Sequence, residues 1–315
     1  MCVYKDLRFL GEAVGSILQQ HFSDFEFIIV DDGTGDETVQ RLAMRDPRIK
    51  VVVNERNVGA AAASNRGIAE AQSDIIVRLD ADDVAEPTHI GRLVADLERD
   101  PDLGLVGSSV RFIDEEGRLL GAQGMPETDV DVRWTILFHN PFYHSSVAFR
   151  RSCFEAAGPY KESELISHDH FLWFSMLDVC RAHNIAEPLL RYRINPRGLT
   201  GQPSKNPRGR THAIREKLWA RLGLNYDLYD NVLAADISGV LRGNDIEPLR
   251  RGPAYDRMLT VLLRFAAMMQ PLARDEDRAS LRRLTRGLAS RVLDSPPALP
   301  HELDRVMRLC SALEL

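Results

Sequence analysis

The run Asp74-Ile75-Ile76-Val77-Arg78-Leu79, followed at once by Asp80-Ala81-Asp82-Asp83, constrains this chain more than any other stretch. A short apolar run of this kind reads as a buried strand. Carboxylates crowded at its end repel one another unless a cation or a proton offsets them. In open α/β sheets, ligands bind at the carboxyl ends of strands. A second strand end of this type lies earlier, where Phe25-Glu26-Phe27-Ile28-Ile29-Val30 stops at Asp31-Asp32-Gly33-Thr34-Gly35-Asp36. Helix capping explains one acidic turn. Two on a shared rim point to a divalent-metal and substrate site.

The pattern around these turns predicts their setting. Leu10, Ala13, Val14, Ile17 and Leu18 recur at helical spacing, residues 37–45 read as a helix, and 49–53 as a strand. Asn57-Val58-Gly59 leads into an alanine-rich helix through Ile68. Strands and helices alternate from residue 1 to about 83, the signature of an α/β fold with a mostly parallel sheet covered on both faces. After Pro87 come a helix carrying Ile90, Leu93, Val94 and Leu97, a strand over 103–113, and a turn at Glu115-Glu116-Gly117. A helix at 131–138, a strand at 145–149 and an amphipathic helix over 169–182 make the middle section α+β. Beyond a polar stretch at 195–209, helices are expected at 213–222, 228–241, 255–269, 277–293 and 301–313.

With 315 residues and 44% hydrophobic content, the chain is long enough for two domains. Its net charge of −6 argues against non-specific binding to nucleic acid, so any anionic partner must be met locally. The cysteines, Cys2, Cys153, Cys180 and Cys310, form no CxxC pair and read as reduced packing residues. Neither a secretory leader nor an apolar run of membrane-spanning length stands out, which favours a cytoplasmic location. Arg278, Arg282 and Arg286, with Arg274, Arg283 and Arg291 nearby, give the C-terminal helices a basic face. Such a face is usually solvated, but it also admits peripheral contact with the inner face of a membrane.

An ordered series of motifs resembles the family 2 glycosyltransferases of the GT-A fold, which move a sugar from a nucleotide diphosphate donor to an acceptor. The series comprises Val3-Tyr4, the stretch from Ser16-Ile17-Leu18-Gln19-Gln20 to Phe25-Glu26, and Val30-Asp31-Asp32-Gly33-Thr34. It continues with Asn57-Val58-Gly59, Asn65-Arg66-Gly67-Ile68, Arg78-Leu79-Asp80-Ala81-Asp82-Asp83, Ser146-Val147 with Phe149-Arg150-Arg151, and Asp169-His170-Phe171-Leu172-Trp173. The resemblance covers residues 1 to about 200. It implies a GT-A domain over 1–204, with a nucleotide-sugar half at 1–112 and an acceptor half at 113–204, followed by a helical domain over 205–315.

Carried over by position, the resemblance implies that Tyr4 and Asp32 help hold a uracil-type base and that Asp80 lies by the ribose or diphosphate. Asp82 would be the ligand of Mg2+ or Mn2+, a hard ion that suits carboxylate and phosphate oxygens. Asn57, Gly59 and Arg66 would serve the donor side, and Asp83 would support Asp82. Asp169 would be the general base for a single displacement with inversion. His144 would line the acceptor side. The family has Glu-Asp where this chain has His168-Asp169, so His168 is a departure that bears on the base or on acceptor contacts. Expected partners are a nucleotide-sugar donor, UDP-linked, and a saccharide or lipid-linked acceptor, in polysaccharide or glycolipid synthesis.

Two other readings compete. A catalytically silent sugar-nucleotide binding protein is one, because Met1 stands only two residues before Val3 and leaves little of the expected first strand. A receiver-like phosphoacceptor module is the other, suggested by Ile29-Val30-Asp31-Asp32. It is disfavoured because the later acidic site is multiple and the region after it lacks a suitable lysine.

Overall fold

The computed structural model describes residues 1–163 and 167–198. Further along the chain it describes only 216, 220, 264, 265, 268, 269, 274 and 277–284. The chain divides into two compact units, one of Met1–Glu127 with Asn140–Arg210 and one of Thr128–His139 with Thr211–Leu315.

The first unit opens with a parallel sheet in the order β1-β2-β3, where β1 is Cys2–Val3, β2 is Phe27–Asp31 and β3 is Ile49–Val53. Alternation along β2 explains how both faces are covered. Phe27 and Ile29 pack with Leu10, Ala13, Val14 and Ile17 of helix α1 (Leu10–Leu18). Val30 packs instead with Val52 and Ala63, the latter on helix α3 (Ala60–Glu70). The small side chains of α3 permit this close approach: a Cβ on Gly67 would stand 3.0 Å from Val30 Cγ2. Helix α2 (Thr38–Ala43) connects β2 to β3.

The expected first strand is thus present but brief. Its Cys2 and Val3 register with Val30 and Asp31, and the buried Met1 amine donates to Ile28 O at 2.9 Å. Burial lowers the pKa of that amine to about 6. A cavity of about 670 Å³ adjoins it, lined among others by Phe27, Ile28, Ile75, Ile76 and Val77.

The second sheet runs β4-β8-β6-β9-β5, with β7 paired to β6. Its strands are β4 (Ile75–Val77), β5 (Val84–Ala85), β6 (Leu103–Ile113), β7 (Leu119–Gln123), β8 (Ala148–Arg150) and β9 (Arg181–Arg193). Only β6 and β9 are parallel here; the other pairs are antiparallel. Helix α4 (His89–Arg99) packs Leu93 and Leu97 against Leu103, Val106 and Ala148 of this sheet. Helices α6 (Arg151–Ala157) and α7 (His168–Met176) follow β8.

Two expectations need correction. The helix expected over 169–182 stops at Met176, because the amides of Val179 and Cys180 both turn back to Met176 O at 2.9 Å. Residues 181–193 then form the long strand β9, held by its ladder to β6. The strand expected at 145–149 begins as a 3-10 turn, His144–Ser146, and becomes β8 only at Ala148.

In the second unit, helix α5 (Asp129–Thr135) occupies part of the expected 131–138 helix, its first turn fixed by Thr128 Oγ1, which accepts from Asp131 N. Asp131 pairs with Arg283 at 2.6 Å, and Trp134 meets Phe265 edge-on at 5.0 Å. Residues 264, 265, 268, 269 and 277–284 are helical. The helices expected at 228–241 and 301–313, most of 213–222, the boundary at 204/205, Arg286 and Arg291 lie outside the described residues. Among the described residues no helix is long and apolar enough to cross a membrane.

Candidate functional site

The first acidic turn is built around two buried carboxylates at the end of β2, each only 2% exposed. Asp31 accepts from Thr34 N at 2.9 Å and from Gln40 Nε2 at 3.2 Å, shaping the turn into α2. Asp32 accepts four hydrogen bonds. Its Oδ1 takes Asn54 Nδ2 at 2.7 Å and Val58 N at 3.0 Å; its Oδ2 takes Asn57 Nδ2 at 2.8 Å and Gly59 N at 3.1 Å. That fills the usual capacity of a carboxylate, so Asp32 organises the 54–59 loop directly. Gly33 and Gly59 have φ of +75° and +95°. At Gly33 a Cβ would also stand 2.6 Å from the Arg56 carbonyl carbon, so only glycine fits beneath the loop. Arg66 donates to Val53 O at 3.0 Å and to Asn54 Oδ1, which braces the same loop from α3. Tyr4 stands beyond β1, 42% exposed, with Lys5 Nζ 5.0 Å from its ring centre.

The second acidic turn lies between β4 and β5. Asp80 is held from both sides: Arg78 Nη2 lies 3.4 Å and His144 Nδ1 3.5 Å from its Oδ1, and its own amide donates to Ser145 Oγ at 3.0 Å. Burial opposes its charge, but His144 and Arg78 prevail and hold its pKa below the usual carboxylate range. The next two acids move the other way. Burial raises the pKa of Asp82, against the hydrogen bond from Asn195 Nδ2 to its Oδ2 at 3.0 Å. Burial and the charges of Asp82 and Asp80 raise Asp83 well above the usual range. Asp83 Oδ1 accepts from Arg193 N at 2.8 Å, whereas the buried Oδ2 has no hydrogen-bond partner.

Two crowded carboxylates and one orphaned, buried carboxylate oxygen are the arrangement that a divalent cation relieves. Among the described residues no group of three or more His, Cys, Asp or Glu is placed to hold a metal ion. Two carboxylates, Asp80 and Asp82, match the small share of protein ligands with which Mg2+ is bound beside phosphate oxygens and water.

Histidines join this turn to α7. Arg78 Nε donates to His144 Nε2 at 3.3 Å, and Tyr160 Oη lies 2.8 Å from the same nitrogen. With Nε2 accepting, the His144 proton sits on Nδ1, toward Asp80. His168 packs edge-on against both His144 and Tyr160, with ring centres 5.5 Å away in each case. Neither ring nitrogen of His168 has a hydrogen-bond partner. Burial and the nearby His144 lower its pKa to about 4, so it is neutral at physiological pH. Next to it, in the first turn of α7, Asp169 Oδ2 accepts from Asn140 Nδ2 at 2.7 Å.

Asp80, Asp82, Asp83, His144, His168 and Asp169 thus lie on one connected rim. Asp32 bonds the loop of Asn57 and Gly59 internally, and Arg66 braces that loop from α3. Sequence reasoning missed Arg78, Tyr160, Asn140, Asn195 and Arg193. Arg78 had a signal: a lone arginine in an apolar run must be paired if buried, and it is 4% exposed. Asn195 also reaches Asp6 Oδ2 at 3.4 Å, which links the end of β9 to the loop after Tyr4.

Comparison with known proteins bears on the family and the fold. The family model described as Glycosyl transferase family 2 matches residues 1–157. An "Uncharacterized glycosyltransferase" of Haemophilus influenzae is 27% identical over 62% of this chain and 64% of its own length. The "Putative glycosyltransferase EpsE" of Bacillus subtilis is 30% identical over 61% of this chain and 71% of its own. The structure of S. aureus TarS 1-349 in complex with UDP-GlcNAc superposes with a TM-score of 0.56 at 16% identity, covering 98% of this chain and 82% of that one, a likeness of fold. The chain belongs to the family 2 glycosyltransferases and has the GT-A fold.

Proposed function

We propose that this glycosyltransferase uses a nucleotide diphosphate sugar, UDP-linked, and transfers the sugar to a hydroxyl of a saccharide or lipid-linked acceptor with inversion. The observation that carries the proposal is the continuous rim from Asp82 through Asp80, His144 and Tyr160 or His168 to Asp169. It sets a cation-seeking acidic turn and a separate, hydrogen-bonded carboxylate on connected elements.

Each residue has a task that its contacts suit. Asp32 holds the 54–59 loop, and Asn57, Gly59 and Tyr4 shape the base and ribose side. Arg66 acts through Asn54 rather than on the nucleotide. Asp80 and Asp82 would hold Mg2+ or Mn2+, which when bound supplies positive charge to the departing diphosphate. Asp83 fixes the turn through Arg193. His144, its proton toward Asp80, keeps that carboxylate charged and oriented. Asp169 takes the proton of the acceptor hydroxyl as its oxygen bonds to the anomeric carbon, while the bond from that carbon to the diphosphate oxygen breaks and its electron pair leaves with the diphosphate. Neutral His168 beside Asp169 offers an imidazole edge rather than a second carboxylate, and so narrows the acceptor side.

The test is sugar transfer from a panel of UDP-sugars with Mn2+ and a saccharide acceptor mixture, with product stereochemistry read by NMR. Inverted product supports the proposal. Tight donor binding by calorimetry without transfer or donor hydrolysis would favour the silent binding protein instead.

A further inference from the structure

Cys153 in α6 and Cys180, one residue before β9, belong to no part of the donor or acceptor rim. They share a notch made by a glycine. The β6–β9 ladder shifts register between Leu103 and Leu105, which leaves Gly104 as an extra residue beside the cysteines. A Cβ built on Gly104 would stand 2.5 Å from Cys153 Sγ and 2.5 Å from Cys180 Sγ. Two atoms that close to one point are no more than about 5 Å apart, within reach of a side-chain rotation from bond formation. Both cysteines carry thiols and are only partly buried, so a small oxidant can reach them.

We propose that Cys153 and Cys180 are a redox-modification site, a vicinal thiol pair that closes to a reversible disulfide with a low-molecular-weight disulfide such as oxidised glutathione. The Cys153 thiolate attacks one sulfur of glutathione disulfide and releases one glutathione thiolate. The Cys180 thiol, losing its proton, then attacks the mixed disulfide and releases the second. The protein loses two protons and two electrons, and one glutathione disulfide takes them up to become two glutathione thiols.

The chemistry of the pair assigns the order of attack. The hydrogen bond from Cys180, with smaller help from Ser152 and the Arg150 charge, outweighs burial and lowers the Cys153 pKa to about 6. Cys153 is therefore the thiolate at neutral pH and the first nucleophile. The single S–H of Cys180 is shared with Met176 O, 3.3 Å from its sulfur, and Cys180 is the resolving thiol. The bridge would close a loop of chain that contains Tyr160, His168 and Asp169. Oxidation would thus constrain the segment that presents the candidate base, without touching it.

The test incubates the full-length protein with oxidised glutathione at neutral pH, then counts free thiols, maps peptides without reduction and measures Tm. The proposal expects two of the four thiols to disappear, a peptide linking Cys153 to Cys180, a Tm higher by several degrees, and reversal of all three by dithiothreitol. Cys153→Ser and Cys180→Ser should each abolish the link, and Cys153→Ser should also slow glutathione uptake. A protein that keeps all four thiols overturns the proposal. So does a cross-link to Cys2 or Cys310, or one that forms equally well in either serine variant. Mixed glutathione adducts on both cysteines of the wild type, with no link between them, overturn it as well. These readouts do not use sugar transfer, so they stand or fall apart from the proposed reaction.

Discussion

Asn140 Nδ2 donates to Asp169 Oδ2 at 2.7 Å, and among the described residues the other carboxylate oxygen of Asp169 accepts no hydrogen bond. In the proposed reaction the anchored oxygen fixes the carboxylate and the other takes the proton. Asp169→Asn keeps the size of the side chain and removes the basicity. We expect the transfer rate to fall by roughly a hundredfold to ten-thousandfold, with donor affinity within about twofold of wild type. Asn140→Ala should cost less, because the base survives and loses only its aim. Rate and affinity measured separately, by initial velocity and calorimetry, check both expectations.

Asp32 offers a contrasting case, since its effect on the nucleotide is expected to pass through the loop it holds. An asparagine at 32 keeps one accepting oxygen and turns an NH2 toward two of the four donors, Asn54 Nδ2, Asn57 Nδ2, Val58 N and Gly59 N. Asp32→Asn should therefore cost about 2–4 kcal/mol of stability, as a broken buried charge-assisted network does. Amide exchange at Val58 and Gly59 should speed up before the rest of the first sheet changes. Unchanged protection at those two amides would contradict the assignment.

Stability should also carry the mark of His89 in α4. Its Nδ1 lies 3.1 Å from Leu189 O and its buried Nε2 has no partner. Burial lowers its pKa from 6.5 to about 4, against the Leu189 carbonyl and the Glu86 charge, which raise it. Below pH 6.5 the unfolded chain binds a proton at this histidine that the folded chain refuses until about pH 4. The contribution is thus complete above pH 6.5 and is lost as pH falls toward 4, by about 3 kcal/mol for this one group. Urea unfolding of wild type and His89→Gln at several pH values isolates it. The gap between the two should change by that amount between pH 7 and 4, and a constant gap would contradict the account of His89.

Gly33 supplies a steric test. With φ at +75° and the Arg56 backbone 2.6 Å from any added Cβ, Gly33→Ala must displace the 54–59 loop. We expect a loss of about 2 kcal/mol or more, and weaker UDP binding. Thermal unfolding and calorimetry report the two effects.

These residues also show what a sequence can and cannot reveal about such a protein. The acidic turns at Asp31 and Asp80 were legible because continuous apolar runs stop abruptly at carboxylates, and burial on both faces demands such runs. Strand β9 was not, because Arg181-Ala182-His183-Asn184-Ile185-Ala186-Glu187-Pro188 mixes polar and apolar residues with no steady period. The structure supplies the reason: the ladder to β6 shifts register between Ser108 and Ser109, where Pro188 enters, so the side-chain phase is reset within the strand. The role of Asp32 was legible as importance but not as mechanism, since its four partners lie in a loop beyond β3. Arg78 and Tyr160 were hidden for a similar reason. Their meaning comes from a shared contact, the His144 ring, which only folding creates.

The rim from Asp82 to Asp169 is tested most directly by the initial rate of sugar transfer from a UDP-sugar in Mn2+, compared among wild type, Asp82→Ala and Asp169→Asn. Both variants should lose at least about a hundredfold in rate. Asp169→Asn should still bind UDP more tightly with Mn2+ than without, and Asp82→Ala should lose that difference. Full turnover in both variants would contradict the assignment of metal and base alike.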